Sequence, residues 1–576
     1  MSRTTALLAR TFFGRFFESD LMPPGLPQAQ LVIGSLVALA APGLLLPARF
    51  AAKYLQISRD PQLLTQALLV DRLLFITLTM TAMGLVALVI WEGVFPDRRD
   101  ARILAALPLS TRELIAGRLI ALAALAGIFV LGVNAVPALM YGPLIAAYGA
   151  ASNAGLGLVA HFIATASAGA FVFFSLLTAQ GLLLNVAGRR IAERLSVILQ
   201  AVFLVVLLQM IFFLPRMGAF VRTDLAAVAA HPYLGAVPSI WFLGLYDVLG
   251  GRQGAGSGPF AVLALLATAA AALLAAGLMI LTHGRLMRRA LEGREATGRS
   301  GRVIGRVFGR VADIFWHRRS IERAAFAFTL RTLVRSRTHG MLLALYVGVA
   351  LALVVSGLIP VLLRQGLAGF ARPDVPLLSP PFILAFLTLA GMRVVIAIPV
   401  EPKANWIVRL LEPGDRGAVS TGVRDAFLVG GALPATAIAG VNALVLWGPW
   451  PALVHTVVCA AMAWILSEVL LLTLQKVPFT ATYYPGRARL RTRWPLYLIA
   501  FTNFCFTTAA FELLMISNPA MLVAFVGASG GAIAVLSAVR QRRAREAPGL
   551  TFEEEDPDAL FQGFRLSEGL AAQRTK

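Results

Sequence analysis

Long apolar runs separated by short polar stretches rich in arginine are the main pattern along this chain. A helix crosses the roughly 30 Å hydrocarbon core of a bilayer with about 20 apolar residues. Twelve runs approach this length, and each predicts a membrane-spanning helix. The predicted spans are Leu31–Leu46, Leu73–Phe95, Leu119–Met140, Gly155–Val186, Leu195–Leu214, Phe260–Leu281, Met341–Leu363, Phe382–Val400, Ala426–Trp447, Ala452–Leu474, Leu496–Ile516 and Ala520–Val539. The first run is short and contains Pro42, so a re-entrant segment is the alternative there.

The composition narrows the class of protein further. Of the 576 residues, 58% are hydrophobic and 14% are charged, whereas soluble domains are about 45–50% apolar and about 25% charged. A water-soluble enzyme and a disordered chain are therefore both excluded. We expect an all-α polytopic membrane protein.

The net charge of +22 is concentrated on one predicted side of the membrane. With a cytoplasmic N-terminus, 41 of the 51 lysines and arginines are cytoplasmic and nine are exterior. This asymmetry predicts a multi-pass protein with both termini in the cytoplasm. Arginine supplies 47 of the 51 basic residues and alanine is abundant, which favours a GC-rich bacterial genome, so the expected location is the bacterial cytoplasmic (inner) membrane. The charge is explained by topology and anionic lipid, so no nucleic-acid partner is expected. Four basic residues fall in a predicted exterior segment and do not fit this pattern: Arg49, Lys53, Arg59 and Arg72.

Two features divide the chain near its middle. Residues 284–340 are polar and basic, which predicts a cytoplasmic linker with an interfacial helix near 318–337. The segments beginning at Pro96 and Pro402 each follow the second span of their half, carry basic residues and an apolar stripe, and end at a proline. We therefore predict about 12 transmembrane helices in two pseudo-repeated six-helix units. The predicted divisions are an amphipathic cytoplasmic arm at 1–30, the first unit at 31–283, the linker at 284–340, the second unit at 341–539 and a cytoplasmic tail at 540–576.

Motifs for catalysis, nucleotide binding and metal binding are missing from the sequence. No lysine follows a glycine, so the phosphate-binding P-loop cannot form. The stretch Gly527–Gly531 fits a nucleophile pattern, but it lies in an apolar span, where small residues serve helix contacts. The six histidines are scattered, without metal-ligand spacing. We expect no enzyme activity, metal or cofactor in this chain.

A few polar residues within or near the spans are candidate functional groups. Charge inside lipid is costly, so it marks a site that pairs, reaches a head group or relays ions. The intramembrane polar candidates are Arg393, Glu468 and Glu512. The long exterior loop 216–259 carries interfacial aromatic residues, which predict a re-entrant or surface helix that either gates an exit path or anchors the loop. The exterior gate candidates are Trp241, Tyr246 and Asp247.

The stretch Leu107-Pro108-Leu-Ser110-Thr-Arg112-Glu113-Leu-Ile-Ala-Gly117-Arg118 resembles the cytoplasmic loop of ABC-2-type ABC transporter permeases. The segments 16–20, 401–410 and 477–487 resemble those of large bacterial permeases with two fused six-helix units, although 401–410 lacks the Leu-Pro-Leu-Ser signature. The resemblance implies an exporter of unknown substrate whose loop docks on a separate ABC ATPase subunit, expected to be a dimer, which binds the ATP. The coupling candidates that it implies are Arg98, Arg99, Arg102, Leu107, Pro108, Arg112, Glu113, Asn405, Trp406 and Arg409.

Two other classes of protein remain as alternatives. A secondary transporter similar to the major facilitator layout also has twelve spans and a central cytoplasmic linker, but the scarcity of intramembrane acids argues against ion coupling. A polytopic lipid or glycan transferase would need an exterior cluster of acids or histidines, which the sequence lacks. In either alternative, the arginines of the 96–118 segment would serve topology alone.

Overall fold

The structure is a computed structural model that describes residues 2–16, 28–91, 93–95, 103–104, 106–220, 235–252, 254, 256–291, 320–400, 415–474, 477–480 and 490–546. The described chain is 88% helical and contains no strand. Helices satisfy their backbone hydrogen bonds internally, as a lipid environment requires. The protein is therefore an all-α polytopic membrane protein, as the sequence predicts.

The chain forms two compact units, the first comprising Met1–Thr297 with Leu351–Ile359, and the second comprising Gly298–Ala350 with Pro360–Lys576. The helices that begin in the first part of the chain are α1 (Arg3–Arg15), α2 (Gln28–Ile57), α3 (Pro61–Val89), α4 (Thr111–Ala147), α5 (Ala154–Val186), α6 (Gly188–Phe220), α7 (Pro238–Leu249) and α8 (Ser257–Leu291). The remaining helices are α9 (Ser320–Arg335), α10 (Arg337–Gln365), α11 (Val375–Leu378), α12 (Pro380–Val395), α13 (Arg416–Phe427), α14 (Leu433–Trp447), α15 (Pro449–Leu471), α16 (Leu490–Thr502), α17 (Thr508–Ser517) and α18 (Pro519–Glu546). A 3₁₀ turn, Gly366–Phe370, follows α10, and π-helical turns join α13 to α14 and α16 to α17.

Within the described residues, eleven helices are long and apolar enough to cross a membrane, and they coincide with the second to twelfth predicted spans. The first predicted span, Leu31–Leu46, lies within α2, whose 30 residues form one continuous helix that is not among the eleven. The helix of the second span begins earlier than predicted. Helix α3 starts at Pro61 and therefore includes Asp71 and Arg72. Helices α1, α7 and α9 lie in the three segments where the sequence predicts interfacial helices, and their position at the membrane surface remains a prediction.

In the first unit, the other helices gather around α5. It packs against α3, α4, α6, α7 and α8. Its buried side presents Ala160, Ala164 and Ala168 at four-residue spacing, each with no exposed surface. At its N-terminal end a Cβ on Gly157 would lie 2.3 Å from the carbonyl oxygen of Gly142 in α4. Small side chains thus let the backbones of neighbouring helices approach closely, as in other membrane helix bundles.

In the second unit, α15 occupies the corresponding place. It packs against α12, α13, α14, α17 and α18, and it buries Cys459, Ala463 and Ser467 at the same four-residue spacing. The fourth span of each unit is therefore its central helix. This shared internal arrangement supports the predicted pseudo-repeat.

An amphipathic helix supports the start of the third span in each unit. Helix α1 packs against α4, and α9 packs against α13. In each case the two helices meet at a glycine, which is Gly117 in α4 and Gly422 in α13. Each glycine lies seven residues after the N-cap of its helix, which is Ser110 in α4 and Asp415 in α13. A Cβ on Gly422 would lie 2.2 Å from the carbonyl oxygen of Glu322, so only glycine fits this crossing.

We expect Gly422→Ala to lower the stability of the protein by about 1–3 kcal/mol, because the added methyl group overpacks the contact between α9 and α13. Gly527→Ala is the matched control, since no described atom lies within 4 Å of a Cβ there and both substitutions gain the same helix propensity. Thermal unfolding of the purified proteins in detergent measures the difference. Equal unfolding temperatures for the two variants would contradict the close crossing.

Candidate functional site

The turn that precedes α4 is held by a capping box. The Ser110 hydroxyl oxygen accepts a hydrogen bond from the Glu113 amide at 3.2 Å, and the Glu113 carboxylate accepts one from the Ser110 amide at 3.2 Å. Upstream, the Leu107 amide donates to the carbonyl oxygen of Leu104 at 3.3 Å, and the Leu109 amide donates to that of Leu107 at 2.7 Å. These bonds hold the backbone of residues 107–113 in place and satisfy helix donors that would otherwise be unpaired.

Helix α1 backs this turn with an apolar cluster. Leu8 and Phe12 of α1 are buried against Leu114 of α4, and Leu104 and Leu109 pack on the same cluster. The Ser2 hydroxyl also donates to the Glu113 carboxylate at 3.3 Å. Leu104 thus points inward and serves as a support for the turn.

The outward side of the turn presents apolar side chains to solvent. Leu107 is 49% exposed and Ile103 is 54% exposed, and Pro108 and Arg112 are exposed beside them. Because the sequence predicts that this turn is cytoplasmic, we call Ile103, Leu107, Pro108 and Arg112 the cytoplasmic knob. The Glu113 carboxylate is engaged by the cap. The other coupling candidates, Arg98, Arg99, Arg102, Asn405, Trp406 and Arg409, lie outside the described residues.

The exterior gate candidates lie on α7, where the structure places two of them in the packed interior. The Tyr246 hydroxyl is 3.0 Å from Nδ1 of His161 in α5, and Asp247 forms an ion pair with Arg72 of α3. Trp241 has a different partner, since its Nε1 donates a hydrogen bond to the carbonyl oxygen of Gly235 at 2.7 Å. Helix α7 is therefore tied to both α3 and α5.

A second ion pair in the first unit joins α2 to α3. Lys53 Nζ lies 2.8 Å from Asp71 Oδ2, and the Tyr54 hydroxyl donates to the same oxygen at 2.8 Å. The Tyr54 and Tyr141 hydroxyl oxygens are 2.9 Å apart. Lys53 and Arg72, which do not fit the charge asymmetry, are thus each neutralised by an aspartate. Sequence reasoning missed these pairs because it assigned Asp71 to a loop.

In the second unit, Glu468 of α15 is completely buried within a charged cluster. Its carboxylate lies 2.6 Å from Arg540 Nε of α18 and 3.3 Å from Arg424 Nη1 of α13. The Ser537 hydroxyl donates to it at 2.6 Å, and Arg540 donates to the Ser420 hydroxyl at 2.7 Å. We call these residues the Glu468 cluster. It joins the third, fourth and sixth spans of the unit at their predicted cytoplasmic ends.

The three intramembrane polar candidates each have a separate partner. Arg393 of α12 donates from Nε to the carbonyl oxygen of Leu470 at 3.0 Å. Glu512 of α17 lies 2.7 Å from Nδ1 of His455 in α15. None of the three candidates contacts another, and sequence reasoning did not foresee either Arg540 or His455 as a partner. Both partners lie on other helices, far away in sequence.

The described part of the chain contains no group of three or more histidine, cysteine, aspartate or glutamate side chains that could hold a metal ion. Comparison of the chain with protein-family models, with curated proteins and with solved structures finds no match. The fold and these polar contacts define a multi-pass α-helical membrane protein, and its function must be inferred from the geometry itself.

We expect Arg540→Leu to destabilise the second unit by about 3–5 kcal/mol, because it removes one partner of a buried ion pair. The double variant Glu468→Leu with Arg540→Leu is expected to be more stable than Arg540→Leu alone, since it leaves no unpaired carboxylate. Thermal unfolding in detergent measures both effects.

Arg542→Leu is the matched control on the same helix. Arg542 is exposed and pairs only with Glu546 one turn away, so we expect no measurable change. A shift for Arg542→Leu as large as that of Arg540→Leu, or a double variant that is no more stable than Arg540→Leu, would contradict the role of the Glu468 cluster.

Proposed function

We propose that this chain is the membrane-spanning permease subunit of an ABC transporter, an exporter of the ABC-2 type, driven by a separate ATPase subunit. The observation that carries the proposal is the cytoplasmic knob, in which Leu107 and Pro108 are exposed on a turn that is otherwise rigidly held. Exposed apolar side chains rimmed by charge mark a surface that binds another protein.

The supports of the knob suit it to transmitting force. The capping box and α1 hold it to the start of α4, so a displacement of the knob moves α4 as well. Helix α4 in turn meets the central helix α5 at the close crossing of Gly142 and Gly157. A push on the knob would thereby reach the centre of the first unit, because packed interiors are difficult to deform continuously.

The second unit has the same kind of support for a second contact. Helix α9 holds the start of α13 as α1 holds the start of α4. Asn405, Trp406 and Arg409 precede α13 in sequence, and they remain our predicted contacts of this unit. In this proposal, a dimeric ATPase binds the ATP and docks on both units, and this chain holds no nucleotide or metal.

A secondary transporter is the second candidate function. One observation favours it, namely the completely buried pair of His455 and Glu512 in the second unit. The other buried acids of the described spans argue against it, because Asp71 and Glu468 are committed to lysine or arginine partners. An ion-coupled carrier needs acids that are free to bind and release its ion.

We expect Leu107→Asp combined with Arg112→Glu to reduce the amount of co-purified P-loop ATPase by about tenfold or more, because truncation of a central anchor costs about 2 kcal/mol or more. The experiment isolates the chain from membranes of its own cell in mild detergent and identifies the partner by peptide mass. Leu367→Asp is the matched control, since Leu367 is also an exposed leucine but lies on the predicted exterior side. Full retention of the ATPase by the double variant would contradict the proposal.

A further inference from the structure

A buried histidine occupies the same place in both units. His161 is the eighth residue of α5 and His455 is the seventh residue of α15, so each lies in the second turn of the central helix. Neither side chain has appreciable contact with solvent, with exposures of 0% and 2%. Both residues lie near the predicted exterior end of their helix.

Each histidine bonds to the helix that precedes the last span of its unit. His161 Nδ1 lies 3.0 Å from the Tyr246 hydroxyl of α7, and His455 Nδ1 lies 2.7 Å from Oε1 of Glu512 in α17. The geometry is the same, but the partner is a phenol in the first unit and a carboxylic acid in the second. Only the second pair joins an imidazole to a carboxyl group, and these two groups can share a proton between them.

The surroundings of the second pair are apolar. The rings of Phe382 and Trp447 lie 6.2 Å and 6.0 Å from the His455 ring, centroid to centroid, and Cys459 Sγ is 3.9 Å from Nδ1. Glu512 Oε2 is buried and has no hydrogen-bond partner in the described structure. A buried carboxylate oxygen without a partner carries a desolvation cost, and this cost falls when a proton neutralises the carboxylate.

Other charges on the neighbouring helices lie at the opposite end of the unit. Helices α12, α13 and α18 contribute Arg393, Arg424, Asp425 and Arg540, which cluster near Glu468 and Leu470. Glu468 is 13 residues beyond His455 in α15, which is about 20 Å along a helix. Helices α11 and α14 carry no charged side chain, and the π turn before α17 adds only Cys505, but the exposed carboxylate of Asp374 caps α11, which packs against α17. The other charges on the described elements packed around the pair are therefore either at the far end of the unit or exposed at this cap.

We propose that His455 and Glu512 form a proton-binding site near the exterior end of the second unit. With one proton shared between Nδ1 and Oε1, the pair is neutral overall. A second proton adds to Oε2, which converts the carboxylate to a carboxylic acid and leaves the imidazolium without its counter-charge. The bond between α15 and α17 then keeps a charged donor but loses its charged acceptor, so the attraction between two opposite charges is lost and the bond weakens. Acidification would thus loosen α17 from α15, whereas the bond of His161 to Tyr246 holds α7 unchanged.

The direct test is pH-difference infrared spectroscopy of the full chain in lipid bilayers. We expect acidification to produce a protonated-carboxyl band that is lost in Glu512→Gln, shifted in His455→Gln and unchanged in His161→Gln, the matched control from the first unit. The same band in wild type and in Glu512→Gln would overturn the site. If either variant of the pair fails to fold, as judged by gel filtration, the band is assigned in the wild type by its dependence on isotope-labelled glutamate.

The loosening has a separate measurement that needs no variant. Hydrogen exchange of the wild-type protein, corrected for the chemical rate at each pH, compares α17 with α7. We expect the backbone amides of α17 to lose protection against exchange on acidification, whereas those of α7 keep theirs. Equal behaviour of the two helices would overturn the loosening. Neither experiment involves an ATPase, so the outcome is independent of the proposed function.

Discussion

The constraint on which this structure depends is that a charged or hydrogen-bonding group inside an apolar layer needs a partner. The backbone meets this requirement by forming helices. The side chains meet it by pairing across helices, as Asp247 with Arg72, Asp71 with Lys53 and Glu468 with Arg540 show. Each such pair joins two helices that are distant in sequence, so the polar contacts specify which helices pack together while the small apolar residues set how closely they pack.

The two units share a frame but place their lysine and arginine ion pairs at different ends. In both units the fourth span is central, an amphipathic helix supports the third span, and a histidine in the second turn of the fourth span bonds to the helix before the sixth. The first unit has its ion pairs near the predicted exterior end, on α3 and α7. The second unit has them at the predicted cytoplasmic end, around Glu468. We interpret this as duplication followed by divergence, in which each unit fixes one end with lysine or arginine pairs, and the second unit also joins its helices at the other end through His455 and Glu512.

Hydropathy predicted the helices well because the length of an apolar run and the thickness of a bilayer are directly related. The start of α3 was misplaced because Asp71 and Arg72 are charged, and a sequence does not reveal that both are neutralised by residues of other helices. Arg540 was interpreted as a topogenic arginine for the same reason. The apolar cytoplasmic knob was predictable at Leu107 and Pro108, but the inward direction of Leu104 depends on α1, which is about 90 residues earlier in the chain. Local pattern fixes which residues are helical, whereas partner choice depends on three-dimensional packing.

We propose that the energy for movement comes from a second polypeptide that docks on the cytoplasmic side. Native mass spectrometry of the complex, isolated in mild detergent from membranes of its own cell, tests this proposal. We expect an assembly in which the 61.4 kDa chain carries two copies of a P-loop ATPase subunit. Isolation of the chain alone, as a species that moves its substrate in vesicles on an ion gradient without nucleotide, would contradict it.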